Sequence, residues 1–591
     1  MSSWKCKICG YIYRESEPEN QSETSSVIPF NDLPDTWRCP VCGAGKDAFE
    51  KIDETDMHAS STETVSDVII SELSAWGVEL IFGLPGTSSL GLVEAIRKNS
   101  DVRYIVVRHE ENAAMAASAY NKLTGKIACC LTIAGPGATN CATGLYDAKE
   151  DHASVISING QVEAQYSGSG GIQEIDQDAF FRPVSVYNNT IYDRDKTVLL
   201  LTRALKNATL RHGVAQLSVP NNIQKMPLEV KKCQKERCTD SLILPDSGAI
   251  TDAATIINDA ENPVIIAGWG AFRYADSVEA LAETLSAPII TTFRAKGILP
   301  DSHPWNLGIL GSVGSPAARD WVNESDLLIT LGVGFSKYTN VPLTKPILQV
   351  DIDPVKLGVS PESTPLWGDT RLIVTALLPL VRSRNTEKTR DKIASMKAEW
   401  NLFRDNEADA SGKPIRPPYI MKILSDVIPE DAVISLDVGE NQWWFGRNFR
   451  MKNQRFVMSG YLGAMGFGLP GAIAAKLASP EKDVFCITGD GGFSMAMADF
   501  VTAVKYHLPM VVIVMNNHQL GMIQVEQMME QYPNFATDLY NPDFAAYASV
   551  CGGKGIRVQD PARLKDAVTE AIGYKCPTII DIETDPVRYY Q

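Results

Sequence analysis

Four of the chain's twelve cysteines stand in its first 42 residues as two pairs, Cys6-x-x-Cys9 and Cys39-x-x-Cys42, and the other eight are scattered. In a chain that starts MSSWKCKICG, without an apolar leader, such pairs read as a metal site rather than a disulfide framework. Four thiolates suit tetrahedral Zn²⁺ or a single iron, so ligand count leaves the metal open. A second chemical set lies near the other end. Gly489-Asp490-Gly491-Gly492-Phe493 follows one apolar run and Asn516-Asn517 ends the next, with Asn517 27 positions after Asp490. An Asp and an Asn at two strand ends offer hard oxygen ligands for a Mg²⁺ that also holds a diphosphate, and the glycines let the backbone approach the phosphates.

Positioning these groups takes a sizeable scaffold. At 591 residues the chain exceeds what one hydrophobic core supports, and three or four domains are expected. Short β-branched runs alternate with helical stretches, the pattern of parallel sheets covered by helices. Residues 104–108, 264–267, 327–330, 484–487 and 510–515 are expected central strands. The fold class is therefore α/β, with three doubly wound parallel-sheet domains preceded by a small metal domain. Boundaries are suggested by the stretch 220–246, which contains Lys, Cys and Pro, and by the charged stretch 382–416. Residues 53–65 are polar and small and read as a linker. No internal repeat is visible. Lys and Arg number 55 against 71 Asp and Glu, a net charge of −16, which speaks against nucleic acid or an anionic membrane as partner. No apolar run approaches the ~20 residues of a membrane span, and a cytoplasmic protein is expected.

The N-terminal stretch carries more than cysteines. Cys6-Lys-Ile-Cys9-Gly10-Tyr11-Ile-Tyr13, then Leu33-Pro34-Asp-Thr-Trp37-Arg-Cys39-Pro40-Val-Cys42-Gly43-Ala44 and Phe49, resemble rubredoxin almost position for position over residues 3–52. Glycine after each pair lets the backbone curl so that amide N–H groups point at the sulfurs and tune the reduction potential. Tyr11, Tyr13, Trp37 and Phe49 are the expected aromatic core that so small a unit needs beside its metal. A zinc ribbon would use the same ligands; the aromatic set favours iron on Cys6, Cys9, Cys39 and Cys42.

The downstream set resembles the thiamine-diphosphate-binding motif. The resemblance implies that Asp490, Asn517 and the backbone carbonyl of Gln519 hold Mg²⁺, with Gly491 and Gly492 against the phosphates. Gly463-Ala464-Met465-Gly466 resembles the segment holding the aminopyrimidine, Gly463 through its carbonyl and Met465 as an apolar wedge. Arg108-His109-Glu110-Glu111 resembles the segment whose glutamate, here Glu110, hydrogen-bonds the pyrimidine; a buried carboxylic acid there promotes the imino tautomer that activates the cofactor. Gly135-Pro136-Gly137-Ala138-Thr139-Asn140 matches as well. Over residues 64–586 the chain is similar to the family of pyruvate oxidases and acetohydroxyacid synthases. This implies a pyrimidine-binding domain at 66–230, a middle domain at 246–382 and a diphosphate-binding domain at 413–591, after an iron domain at 1–52 and the 53–65 linker. It also implies a homodimer or homotetramer in which Glu110 and Asp490 of different chains meet.

Gly268-Trp269-Gly270, the segment from Thr291 through Arg294 to Gly297, Leu310-Gly311-Ser312-Val313-Gly314 and Asp351-Ile-Asp353-Pro354 resemble the FAD-binding pieces of pyruvate oxidase. Gly268, Gly270 and Gly311 would admit the pyrophosphate, Thr291 belongs to the implied FAD-binding set, Arg294 would neutralise charge, and Asp351 would meet an adenosine-side hydroxyl. An iron that carries single electrons also needs a donor that splits a two-electron step. In the loop Leu520-Gly521-Met522-Ile523-Gln524-Val525-Glu526, Met522 matches the synthases, while Glu526 matches the oxidases, where synthases carry Trp. Met522, and Ile172 before Gln173-Glu174, depart from the Phe that oxidases carry. The implied catalytic set is Glu110, Glu526 and Gln173. The implied reaction oxidatively decarboxylates a small 2-oxo acid, pyruvate first, to acetate or acetyl phosphate and CO₂. Electrons would pass through FAD and the iron to a soluble redox protein, since residues 585–591 lack the amphipathic membrane segment of quinone-reducing oxidases. Two other readings stand beside it: a carboligase or acyltransferase of the acetolactate synthase or sulfoacetaldehyde acetyltransferase type, and an electron carrier with an inactive enzyme part. Intact Glu110, Asp490 and Asn517 speak against the latter. His109, His152, His507 and His518 are expected to be structural.

Overall fold

A computed structural model describes residues 3–8, 11–14, 29–40, 42–52, 63–229 and 242–587. Cys9, Gly10, linker residues 53–62, boundary residues 230–241 and residues 588–591 lie outside the described residues. The chain forms a small unit, residues 1–64 with 227–229, and a large one.

The small unit holds a three-stranded antiparallel sheet in the order Ile12–Arg14, Ser3–Cys6, Phe49–Ile52. Three short strands cannot bury an aliphatic core, and aromatic rings replace it. Phe30 is the hub: Trp4 stacks on it at 4.6 Å between centroids, and Phe49, Tyr13 and Trp37 surround it at 5.1, 5.5 and 5.7 Å. Tyr11 joins edge-on through Phe49. Such pairs add about 0.5–1.5 kcal/mol each beyond their burial. All four expected aromatics belong to the cluster, and Phe30 and Trp4 complete it.

The large unit contains three six-stranded sheets, parallel throughout. The first runs Arg103–Val106, Leu80–Gly83, Ala128–Thr132, Val155–Gln161, Val214–Pro220, Tyr187–Thr190. The third runs Arg455–Met458, Val433–Leu436, Val484–Gly489, Val511–Asn516, Thr578–Glu583, Lys554–Val558. Numbered by chain position within each sheet, both have the order 2-1-3-4-6-5. A repeat invisible in the sequence is therefore present in topology, because many sequences satisfy one pattern of buried strands. The middle sheet runs Asn306–Ile309, Ile289–Thr291, Pro263–Ala267, Leu327–Leu331, Ile347–Asp351, Ser363–Trp367, the order 3-2-1-4-5-6 of dinucleotide-binding sheets.

One expectation needs correction. The run 104–108 is not a central strand: it forms Arg103–Val106 at a sheet edge, with Arg103 exposed and Ile105 buried. An apolar edge strand reads in sequence like a central one when helices cover it. The charged stretch 382–416 contains the 21-residue helix Glu387–Glu407, anchored by buried Ile393 and Arg404.

The helix Glu110–Thr124 packs on Gly468–Ala478 of the third sheet's layer through small side chains, Ala113, Ala117 and Ala474 among them. Asp499 fastens this junction, accepting from Arg108 N at 2.8 Å, Asn112 Nδ2 at 2.5 Å and Thr502 Oγ1 at 2.7 Å. Among the described residues no helix is long and apolar enough to cross a membrane.

Candidate functional site

The strand Val484–Gly489 ends where the helix Asp490–Ala496 begins, so Asp490 stands at the carboxyl edge of the sheet beside the strand that ends in Asn516. Asp490 is 2% exposed, and its carboxylate accepts from Asn541 Nδ2 at 2.6 Å and Gly491 N at 3.0 Å. Asn541 Nδ2 also reaches Asn516 Oδ1 at 3.0 Å. Asn517 Oδ1 accepts from Gln519 N at 3.2 Å, and its Nδ2 donates to Glu440 Oε2 at 3.2 Å. Burial pushes the Asp490 carboxyl up from its usual range, a penalty that a cation would reverse. Carboxylate, amide oxygen and backbone carbonyl are all hard donors, so the set fits Mg²⁺.

Asp437 escaped the sequence reading. It follows the buried strand Val433–Leu436, is 1% exposed, and accepts from Val438 N at 2.7 Å, Gly466 N at 2.9 Å and Thr488 Oγ1 at 3.0 Å. It thus ties the 437–441 turn, the Gly463–Gly466 segment and the Thr488–Gly492 loop together. Burial pushes its carboxyl to about 6. Gly492 has to be glycine, since a methyl there would stand 2.9 Å from Asp437 Cγ. Met465 and Leu520 cover Gly491, whose added methyl would meet Met465 Cε at 3.2 Å and Leu520 Cδ2 at 2.9 Å, while Gly463 faces open space. The signal available was an Asp directly after an apolar strand, followed by Gly439, Glu440 and Asn441.

Glu110 is the first residue of its helix, where the His109 cap accepts from Glu111 N through Nδ1 at 3.3 Å. Glu110 is 5% exposed, Oε2 accepts from Asn140 Nδ2 at 3.0 Å, and Gly137 lies over Oε1. Gln173, at φ 66°, packs its backbone against Gly135. Next to it, the Glu174 carboxylate gathers Gly168 N, Gly170 N and Gly171 N, leaving Ile172 93% exposed. Glu110 and Gln173 therefore meet around 135–140, whereas Glu526 is exposed on the helix Gly521–Met529 beyond Asn517. The hydrogen-bond partners of Glu110 and Asp490 have no residue in common. Of the four histidines, His109 caps its helix, and His152, His507 and His518 take positive φ at turns. Burial, then Lys356 at 2.8 Å, drops the His152 imidazole to about 4.

In the middle sheet, Gly268 and Gly332 follow the two strands that flank the reversal in strand order. They approach so closely that a methyl on Gly268 would lie 2.0 Å from Gly332 O. Gly270 N donates to Gly332 O at 3.3 Å. Gly311 packs on Tyr338 O, and Thr291 O accepts from Leu310 N. Asp351 ends its strand, accepts from Asp353 N at 2.9 Å and is pushed up by burial. Arg294 lies between the Trp269 and Tyr461 rings and pairs with Asp151 at 3.2 Å. Asp151 also binds Lys122 at 2.6 Å, Gly460 N at 2.9 Å and Tyr461 N at 3.0 Å. Burial alone would raise its carboxyl, but Arg294 and Lys122 hold it down to about 2. Strand order and strand-end residues thus fit a dinucleotide, while Gly268 and Gly311 are already required by chain packing.

In the small unit, the sulfurs of Cys6, Cys39 and Cys42 lie within 4.8 Å of one another, Cys6 and Cys42 at 3.7 Å. That exceeds the ~2.05 Å of a disulfide and suits a shared metal. Cys6 N donates to Tyr11 O and Cys39 N to Ala44 O, both at 2.8 Å, fixing the two turns.

Residues 3–49 match the rubredoxin family. Residues 63–180, 250–377 and 437–582 match the N-terminal TPP binding, central and C-terminal TPP binding domains of thiamine pyrophosphate enzymes. The chain is 38% identical over 530 residues to the putative thiamine pyrophosphate-containing protein YdaP of Bacillus subtilis, covering 88% of this chain and 91% of that one. It is 34% identical over 553 residues to a probable acetolactate synthase large subunit of Methanocaldococcus jannaschii (88% and 92%) and 33% over 529 residues to pyruvate oxidase of Lactiplantibacillus plantarum (87% of each).

Proposed function

The chain belongs to the thiamine pyrophosphate enzymes of the pyruvate oxidase and acetolactate synthase family, with a rubredoxin domain in front, and on that footing we propose that it oxidatively decarboxylates a small 2-oxo acid. Pyruvate is the first candidate, giving CO₂ and acetate or acetyl phosphate; the two electrons released pass through FAD to the chain's own iron centre and on to a soluble redox protein. The observation that carries this reading is the Cys6, Cys39 and Cys42 thiol cluster on one chain with the thiamine domains. A carboligase turns over without net electron transfer and has no use for such a centre. The 3-2-1-4-5-6 middle sheet supports FAD.

Bound thiamine diphosphate supplies the carbon nucleophile and the electron sink for decarboxylation, FAD a two-electron acceptor, and iron a one-electron carrier. Asp490, Asn517 and the Gln519 carbonyl would hold Mg²⁺, Gly491 and Gly492 the diphosphate, and Met465 would back the pyrimidine. Glu110, steadied by Asn140, would hold a proton at the pyrimidine ring. Gln173 and Glu526 would orient the substrate. Because no described residue hydrogen-bonds to both Glu110 and Asp490, a homodimer or homotetramer with shared sites is part of the proposal. Exposed Met528, Met529, Tyr532 and Phe535 beyond Glu526 support such a contact.

An anaerobic absorbance spectrum of the protein reconstituted with thiamine diphosphate, Mg²⁺ and FAD, taken before and after pyruvate, tests the reading. Flavin bleaching followed by ferric-thiolate bleaching, the latter absent in Cys42→Ser, is expected. Pyruvate converted to acetolactate with both chromophores unchanged would establish the carboligase instead.

A further inference from the structure

The helix Glu387–Glu407 packs on both the middle and third layers, and its inner face closes a cavity of about 40 Å³ against the edge strand Asn306–Ile309 and the helix Glu440–Asn448. Four cations line this cavity, Lys296, Lys397, Arg404 and Arg447, against one carboxylate, Asp301. Lys296 is 4% and Arg404 7% exposed. Asp301 lies 3.5 Å from Lys296 Nζ and 3.8 Å from Arg404 Nη1, and Glu407, outside the lining, is 3.5 Å from Arg447 Nε. The lining thus carries more cations than carboxylates, and of these Lys296 and Arg404 are buried, where charge short of a partner is costly.

The donors are also incompletely used. Arg404 Nε has no hydrogen-bond partner, while its terminal nitrogens reach Asn401 Oδ1 at 2.5 Å and Arg447 O at 3.5 Å. Lys397 Nζ donates to His303 O at 2.7 Å, which leaves N–H capacity on a three-donor group. Burial lowers the pKa of Lys296, Lys397 and Arg404 alike, and Asp301 offsets it only in part. Trp400 walls one side, its ring 5.0 Å from the Arg447 guanidinium and 5.8 Å from that of Arg404. The cavity borders the expected FAD segments, which lend it Lys296 and Val313, but it does not lie at the Gly268 and Gly332 approach, which follows Pro263–Ala267 and Leu327–Leu331 and is separated from the edge strand by Ile289–Thr291.

About 40 Å³ holds roughly three waters, the space of one small oxyanion, and guanidinium forks with an ammonium are the groups that bind such ions. We propose that this cavity is a binding site for a free inorganic oxyanion of the phosphate class, held by Lys397, Arg404 and Arg447, which fastens the Glu387–Glu407 helix between two domains. The site is separate from the proposed catalytic centre and needs no turnover to be seen.

The test is calorimetric titration of the full chain with inorganic phosphate, and separately with sulfate, in the absence of any 2-oxo acid. One saturable site per chain is expected, accompanied by a rise in thermal midpoint and a change in tryptophan emission from Trp400. Arg404→Gln and Lys397→Gln should each weaken binding at least tenfold. Because Lys397 is half-exposed and its substitution spares the buried Arg404, the second variant decides the matter if the first does not fold. Absence of saturable binding, or binding that the folded variants retain unchanged, overturns the proposal.

Discussion

Asp151→Asn removes the carboxylate that joins Lys122 of the first layer, Arg294 of the middle layer and the Gly460 and Tyr461 amides of the third. The side chain is fully buried, so solvent does not screen its pairs. Its carboxyl is held at about 2, below an ordinary 3.8, and at 1.36 kcal/mol per unit the depression corresponds to about 2–3 kcal/mol. Breaking a buried ion pair costs about 3–5 kcal/mol, so the two routes converge on about 3 kcal/mol. Asparagine keeps one acceptor for the two amides but turns N–H toward Lys122. For a domain of 150–250 residues, with about 2–4 °C lost per kcal/mol, the thermal midpoint should fall by about 6–12 °C at pH 7, followed by tryptophan fluorescence of the full chain. The contribution of a depressed carboxylate is complete above its ordinary range and disappears as pH falls toward about 2. The gap between parent and variant should therefore narrow, to roughly half, as the medium is taken from pH 5 to pH 3. A midpoint within about 2 °C of the parent at pH 7, or a gap that stays constant down to pH 3, would refute the reasoning.

Gly492→Ala places a methyl 2.9 Å from Asp437 Cγ and should raise the thiamine diphosphate dissociation constant at least tenfold, read by quenching of tryptophan fluorescence; unchanged affinity would sever Asp437 from the cofactor loop. Glu110→Gln keeps an acceptor for Asn140 but loses the acid, so kcat under saturating cofactor should fall about 10²–10⁴-fold with KM nearly unchanged. A kcat close to the parent's would remove Glu110 from the proton-holding role.

The sequence by itself determined whatever depends on local spacing. Cys6 and Cys39-x-x-Cys42, with their aromatic neighbours, had to converge because a unit of that size has little else to bury. Asp490 and Asn517 had to stand near one sheet edge because each follows an apolar run, whereas only the structure showed that Glu110 opens a helix after an edge strand. Tertiary structure decided what depends on which strands are neighbours. Asp437 reached the Thr488–Gly492 loop only because Val433–Leu436 pairs with Val484–Gly489, and Asn541 reaches Asp490 from a distant loop. The shared 2-1-3-4-6-5 order of the outer sheets left no mark on the sequence, since hydrophobic pattern specifies that a strand is buried and not which strand lies beside it. The Lys122, Asp151 and Arg294 cluster was hidden for the same reason: charges that look solvated one by one are paired only where the three layers meet.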